Sequence, residues 1–461
     1  MTQCTCPRLP LTTMALPIPL ELTSAIFRFL PTGTISTRDL PASSLQPPLL
    51  FGKVCREWRA ISRGTPHLWR SLSLELYAEL RPFEHEKLTA LVTEWLRRSG
   101  QLPLHFTLSR NHLQRLDAPE NIIVSLLMHF APRIEHLYLS LPHIDLVGIC
   151  YNDTATLPAL RAVSVVETDS LPGGTVAPFS YLRGSPLLQD MTIRGGVLPD
   201  LAGPGESYVP WLQLTRFAAY DRVSVSDGMQ ILSLATSLEE FTLSCIFTRN
   251  GDDSDLEDTR TILPHARLRR LNIYGTNPDN ALTMLQILRL PQLEALALRL
   301  NKTDEYIFEF TSFIERSDCA STLRELKLGA ELENDDLSVL FRALHNLEDL
   351  HYTSGDFADV LAALTAGAGN PLSLALPALR KVQLTTTTFL VPTGMFASFA
   401  DLLDVRGGLG ELLVTFMSPI SAVMPEEVAA SLMAHQAKGT VVRIVSLAGY
   451  RKVGRVLFGR A

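Results

Sequence analysis

The feature that most constrains this chain is a hexamer, L-x-x-L-x-L, with apolar residues at positions i, i+3 and i+5. It reads IEHLYL at 134, LRAVSV at 160, LQDMTI at 188, LTRFAA at 214 and LEEFTL at 238. It returns as LRRLNI at 268, LEALAL at 293, LRELKL at 323, LEDLHY at 347, LRKVQL at 379 and LGELLV at 409. The eleven copies are 24 to 32 residues apart, and the ten steps cover 275 residues, a mean of 27.5. A period of this size means one supersecondary unit used many times, no copy of which buries its apolar face without its neighbours.

The offsets predict a strand in each unit. Positions i+3 and i+5 fall on one side of a strand and point into the core, while i+2, i+4 and i+6 point the other way. The segments between read as helices. DDLSVLFRALHN (335–346) opens with acidic residues suited to a helix N-terminus and spaces Leu337, Leu340, Phe341 and Leu344 helically. NALTMLQILRL (280–290) and DEYIFEFTSFIERS (304–317) do the same. Strand and helix in alternation give an α/β fold, a curved solenoid with parallel strands inside and helices outside. The period lies near that of leucine-rich repeats. Such repeats often place Asn or Cys after the strand, and here only Asn301 fits at i+8, so the turns are expected to be irregular.

Composition narrows the function. Of 461 residues, 46% are hydrophobic and 19% charged, so core material runs through most of the chain. A net charge of −7 offers no stripe for nucleic acid. Six scattered cysteines argue against a disulfide framework and for a reducing compartment. No apolar run approaches the roughly 18 residues a membrane helix needs. The start, MTQCTCPRLPLTTMALP, is broken by prolines and does not read as a signal peptide. An intracellular protein, cytoplasmic or nuclear, is expected, with neither membrane nor nucleic acid among its partners.

Two blocks precede the repeats: LPIPLELTSAIFRFL (16–30) and PLLFGKVCREWRAISRGTPHLWRSLSL (48–74). In the first, Leu22, Ala25, Ile26 and Phe29 form one helical stripe, and Leu20, Phe27 and Leu30 widen it. A helix apolar around so much of its girth meets two partners or is enclosed, and so near the chain start the former is expected. In the second, Val54, Trp58 and Ile61 at i, i+4 and i+7 predict a helix with a bulky face, with Cys55 beside it. Trp69, Leu72 and Leu74 then repeat the hexamer's offsets, marking where the first strand starts.

L-P-x-x-L, I-F-x-x-L, V-C-R-x-W-R and T-P-x-L-W-x-S-L in this order resemble the F-box motif. The likeness covers residues 16 to 74 and is closest to the F-box and leucine-rich-repeat proteins common in mushroom-forming fungi. There a polar, proline-rich insertion often parts the two blocks, and TGTISTRDLPASSLQPP (32–48), rich in Pro, Ser and Thr, matches that habit. The resemblance implies a helical hook that docks on the Skp adaptor of a cullin-based ubiquitin ligase, through Leu16, Pro17, Leu20, Leu22, Ile26, Phe27, Leu30, Val54, Cys55 and Trp58. The repeats would capture an unknown target protein. The alternative is a scaffold with the same modules and no part in ubiquitylation. The expected organisation is a tail (1–15), the F-box (16–76, with the 32–48 insertion), the repeats (77–420) and a C-terminal cap (421–461).

Chemistry is not expected. Cys55 has Arg56 and Arg59 close by, but the next histidine, His67, lies beyond the helix break, so the thiol reads as a packing residue. Cys4-x-Cys6 has no second pair, HEKLT (85–89) lacks a second histidine, and GGLG (407–410) is no phosphate loop. No cofactor, metal or catalytic residue is assigned. The acidic run 252–258 reads as an inserted loop, and YRKVGRVLFGR (450–460) as a cap on the last repeat. For target capture, the outward strand positions carry six cations and five carboxylates, which nearly cancel. Arg216, Tyr220, Arg270, Tyr274 and Arg299 cluster in successive repeats and are the best candidates, Tyr and Arg being the types that anchor interfaces.

Overall fold

All three template positions in all eleven hexamers are buried, and each hexamer ends in a strand. The computed structural model describes residues 19–29, 34–36, 46–76, 82–110, 130–150, 156–169, 175–177, 179–201, 208–220, 223–244, 262–274, 278–299, 306–329, 331–366, 375–386, 394–417, 424–448 and 453–458. Leu16, Pro17, Leu30, Asn301, Cys4, Cys6 and the run 252–258 lie outside them.

Among the described residues one sheet holds 16 strands. They are β1 Thr34–Ser36, β2 Ser71–Leu76, β3 Leu104–Arg110, β4 Ile134–Leu141, β5 Ala162–Glu167, β6 Asp190–Arg194, β7 Arg216–Tyr220 and β8 Glu240–Ser244. Then come β9 Arg270–Tyr274, β10 Ala295–Arg299, β11 Glu325–Gly329, β12 Asp349–Ser354, β13 Lys381–Thr386, β14 Glu411–Phe416, β15 Val441–Ala448 and β16 Val453–Phe458. Their order across the sheet is their order in the chain. Every pairing is parallel except the last, β15 with β16. Equivalent positions stand side by side: Glu240 pairs with Arg216 on one side and Arg270 on the other.

Helices at 225–234, 278–287, 306–317, 334–343, 358–365, 395–405 and 426–437 connect the later strands, and successive ones pack on each other. Helix 278–287 ends before the 290 that its periodicity suggests, because Leu288–Arg289 pairs instead with Leu263–Pro264. Strand positions i+3 and i+5 are buried, and the described alternate positions of the eleven hexamers are exposed or half-buried, except the small Ala297. The sheet thus has one covered and one open face.

Backbone N–H groups at i+1 tie the units together in one run. Glu239 donates to the Thr215 carbonyl at 2.8 Å, Arg269 to Glu239 at 2.9 Å, Glu294 to Arg269 at 2.8 Å and Arg324 to Glu294 at 2.8 Å. The turns that lack an asparagine ladder are satisfied by side chains reaching back one unit. Gln213 Nε2 donates to the Ser185 carbonyl (2.6 Å), Thr322 Oγ1 to Leu293 (2.9 Å), Asn346 Nδ2 to Ser321 (2.9 Å) and Arg406 Nη1 to Leu376 (3.0 Å). Buried carbonyls need such partners, and irregular turns need different donors in each unit.

The sheet starts earlier than the repeat count suggests. Segment 32–48, read as an insertion, supplies β1, whose Ile35 pairs with Leu74 and is 1% exposed. Strand β3 carries Pro103 where its neighbours carry Trp69 and Ile134, with Phe106 and Leu108 in register with Leu72 and Leu74. At the far end, β15 and β16 fall within 421–461.

The expected continuous helix over the second block is a correction. It is two helices, Phe51–Val54 and Arg56–Gly64, with Cys55 extended between them at φ −153° and ψ 174°. Val54 therefore does not share a helix face with Trp58 and Ile61.

Candidate functional site

Two surfaces stand out, the helical head and the open face of the sheet. In the head, α1 (Leu20–Arg28), α2 (Phe51–Val54) and α3 (Arg56–Gly64) pack around three aromatic rings. Phe27 stacks on Phe51 with centroids 3.9 Å apart, and Trp58 meets Phe27 edge-on at 5.0 Å. Polar bonds fix the loop between the helices: Arg59 Nε donates to the Gly52 carbonyl at 2.5 Å and Ser62 Oγ to that of Pro48 at 3.2 Å. The head is joined to the sheet through Trp69, whose Nε1 donates to the Ser62 carbonyl at 2.8 Å and whose ring meets Trp95 at 5.0 Å.

Thr23 and Phe27 face inward from α1 and are buried. The stripe read from the sequence faces the other way. Leu22 is 56% exposed, Ile26 49% and Phe29 87%, and Leu20 and Val54 are also more than half exposed. Leu22, Ile26 and Phe29 at i, i+4 and i+7 make one ridge. Exposed apolar side chains grouped in this way mark interaction surfaces, whereas scattered ones do not.

Among the expected adaptor contacts, Leu20, Leu22, Ile26, Val54 and Cys55 are exposed and Trp58 is half-buried. Phe27 is a correction. At 2% exposure it belongs to the head's core and presents no surface to a partner. Phe29 lies in the stripe but not among the expected contacts, and among the described residues of the head it is the most exposed large apolar side chain.

Cys55 is the N-cap of α3, its Sγ accepting from the Trp58 N–H at 3.4 Å. Sulfur is a weak acceptor and a hydroxyl fills a cap better. Cys55→Ser is expected to leave thermal stability equal or up to about 1 kcal/mol higher. Thermal unfolding checks this, and a fall of that size would show that the thiol does more than cap.

The open face carries three rows of side chains, at i+2, i+4 and i+6. Arg216 and Arg270 lie in the first, and both are tied to a neighbouring strand. Arg216 grips Asp190 with Nε–Oδ1 at 2.6 Å and Nη2–Oδ2 at 2.5 Å, and Arg270 Nε is 3.5 Å from Glu240 Oε1. The carboxylate of Asp190 raises the Arg216 pKa further. Lys381 bridges Asp349 at 3.5 Å and Glu411 at 3.6 Å. These exposed pairs add little stability, and they set three cations against the five carboxylates of the row. Tyr220 and Tyr274 lie in the third row with Ser244 between them, so the five candidates fall in two rows. The Arg299 side chain is outside what the structure describes, and its backbone pairs with Tyr274.

One cluster escaped sequence reading. A bulge between β3 and β4 adds Glu135 to the ladder, bringing ligating atoms of His105, Glu135 and His136 within 4.8 Å of one another. Arg70 Nη2 sits 2.7 Å from His105 Nε2 and 3.2 Å from Glu135 Oε2, and Arg161 Nε is 3.2 Å from Glu135 Oε1. Two guanidinium groups on that carboxylate oppose a dication. No protein-family model matches the chain, and no curated protein is similar to it in sequence.

Proposed function

We propose that this chain is the substrate-recognition subunit of a Skp–cullin–F-box ubiquitin ligase. Its head is an F-box that docks on the Skp adaptor, and its strand–helix units are divergent leucine-rich repeats that capture a target protein. The observation that carries the reading is the ridge of Leu22, Ile26 and Phe29. An aromatic stack turns the opposite side of the same helix inward and leaves this side for a partner. Continuity of the head with the sheet favours a rigid link between adaptor and target. Holding both at once raises the effective concentration of target beside the conjugating subunits, which do the chemistry.

Expression of the tagged chain in cells, with isolation of what it binds, tests this. The Skp adaptor and a cullin are expected to co-purify, and Leu16→Ala with Pro17→Ala is expected to remove both. Absence of the adaptor from the wild-type complex ends the ligase reading. Adaptor without cullin leaves the scaffold in its place.

A further inference from the structure

We propose that the part of the open face nearest the carboxyl ends of the strands binds an acidic segment of a protein partner, seating one carboxylate side chain in a hollow over β9 to β13. This rests on the reading of the open face as the target surface and is independent of the adaptor. The outward acids of the eleven units, Asp190, Glu240, Glu325, Asp349 and Glu411, all occupy the i+2 row. There Asp190, Glu240, Asp349 and Glu411 stand beside Arg216, Arg270 or Lys381 on a neighbouring strand, and Glu325 is paired by Lys327 of its own strand. The rows at i+4 and i+6 hold no carboxylate in any of the eleven units. They hold Arg194, lying 5.1 Å over the Tyr220 ring, then Tyr274, Lys327 and His351. In these eleven units the acids are thus confined to the i+2 edge, and Arg194, Tyr220, Tyr274, Lys327 and His351 put donors on the rest.

The hollow lies in that acid-free part and measures about 290 Å³. Its polar lining is Tyr274, Lys327, His351, Thr353 and Thr385. All five can donate a hydrogen bond, and none is limited to accepting. Such a lining is matched by a ligand end that only accepts, and an ionised carboxylate is that end. Met417, half exposed, supplies an apolar wall for the methylenes behind it, and Gly329 adds no side chain to fill the space. Lys327 Nζ is held 2.6 Å from Glu325 Oε1, on the rim of the acid row. An incoming carboxylate competes with Glu325 for that ammonium.

His351 makes the site sensitive to pH. Its Nε2 is 3.2 Å from Thr385 Oγ1, and Lys327, Lys381 and Glu325 are the charged groups that act on it. Burial first, then the two lysines, push its pKa below the ordinary imidazole value, with Glu325 opposing. A bound carboxylate adds a negative charge beside the ring and raises that pKa. Binding therefore takes up a proton, and affinity rises as pH falls through the imidazole range.

The test uses the full chain and two fluorescein-labelled peptides of about twelve residues, one alternating Glu and Leu, the other Gln and Leu, read by fluorescence anisotropy. The Glu peptide is expected to bind about tenfold more tightly than the Gln peptide. Lys327→Gln and His351→Gln are each expected to weaken the Glu peptide about fivefold or more, and Glu325→Gln to strengthen it. Glu-peptide affinity is expected to climb as pH falls from about 7 through the imidazole range, and His351→Gln to flatten the climb. Equal binding of the two peptides, or indifference to both variants while circular dichroism shows them folded, overturns the proposal. Adaptor co-purification with the same variants keeps the two readings apart. Its loss from the wild type concerns the head, and its retention alongside equal peptide binding isolates the failure to this site.

Discussion

A chain carrying Ile26→Asp and Phe29→Asp is expected to lose affinity for purified Skp adaptor by at least about 100-fold in calorimetric titration, with thermal unfolding almost unchanged. Both parts of that result follow from α1 having two different sides. Ile26 and Phe29 are 49% and 87% exposed, so aspartate at either position reaches water and leaves no cavity. On an adaptor surface the same carboxylates are buried without partners, and a central apolar anchor is lost at each site. Phe27→Ala is the contrasting change. It removes a ring stacked at 3.9 Å on Phe51 and is expected to loosen the whole head. Equal adaptor affinity for the double variant and the wild type would remove the ridge from the account.

Phe241→Ala is the second large effect, a loss of about 3–5 kcal/mol from the sheet. Phe241 is fully buried at the i+3 position of β8, and its ring lies 6.0 Å from that of Phe217 on β7. No unit covers its own apolar face, so the damage is expected to spread to both neighbours. Hydrogen exchange should show faster opening of amides in 216–220 and 270–274 as well as 240–244, with the head little affected. Denaturant unfolding gives the magnitude. A loss under about 1 kcal/mol, or one confined to β8, would mean that the units do not support one another as described.

The repeat was legible because apolar residues at i, i+3 and i+5 return eleven times in succession, and parity then assigns the faces of each strand. Strand β3 was not legible, since Pro103 stands where the pattern asks for leucine, although Phe106 and Leu108 keep the register. Strand β15 was hidden for a related reason: Gly439 stands at its i position, while Val442 and Ile444 align with Leu412 and Val414. In the head, periodicity located the stripe on α1 but cannot say which side of a helix apolar nearly all round turns inward. That choice is made by Phe51 and Trp58, which take Phe27. The break at Cys55 was invisible because Val54, Trp58 and Ile61 fit an unbroken helix equally well. On the open face, composition revealed that the charges nearly cancel; the offsets place each outward acid of the eleven units at i+2, and register aligns those positions as one row across the sheet.

Hydrogen exchange of the full chain with and without purified Skp adaptor tests the central claim most directly. The account predicts a stable complex in which amides of 20–28 and 51–64 become protected while those of 240–244 and 325–329 do not change. No complex, or protection on the strands with none on the head, would contradict it.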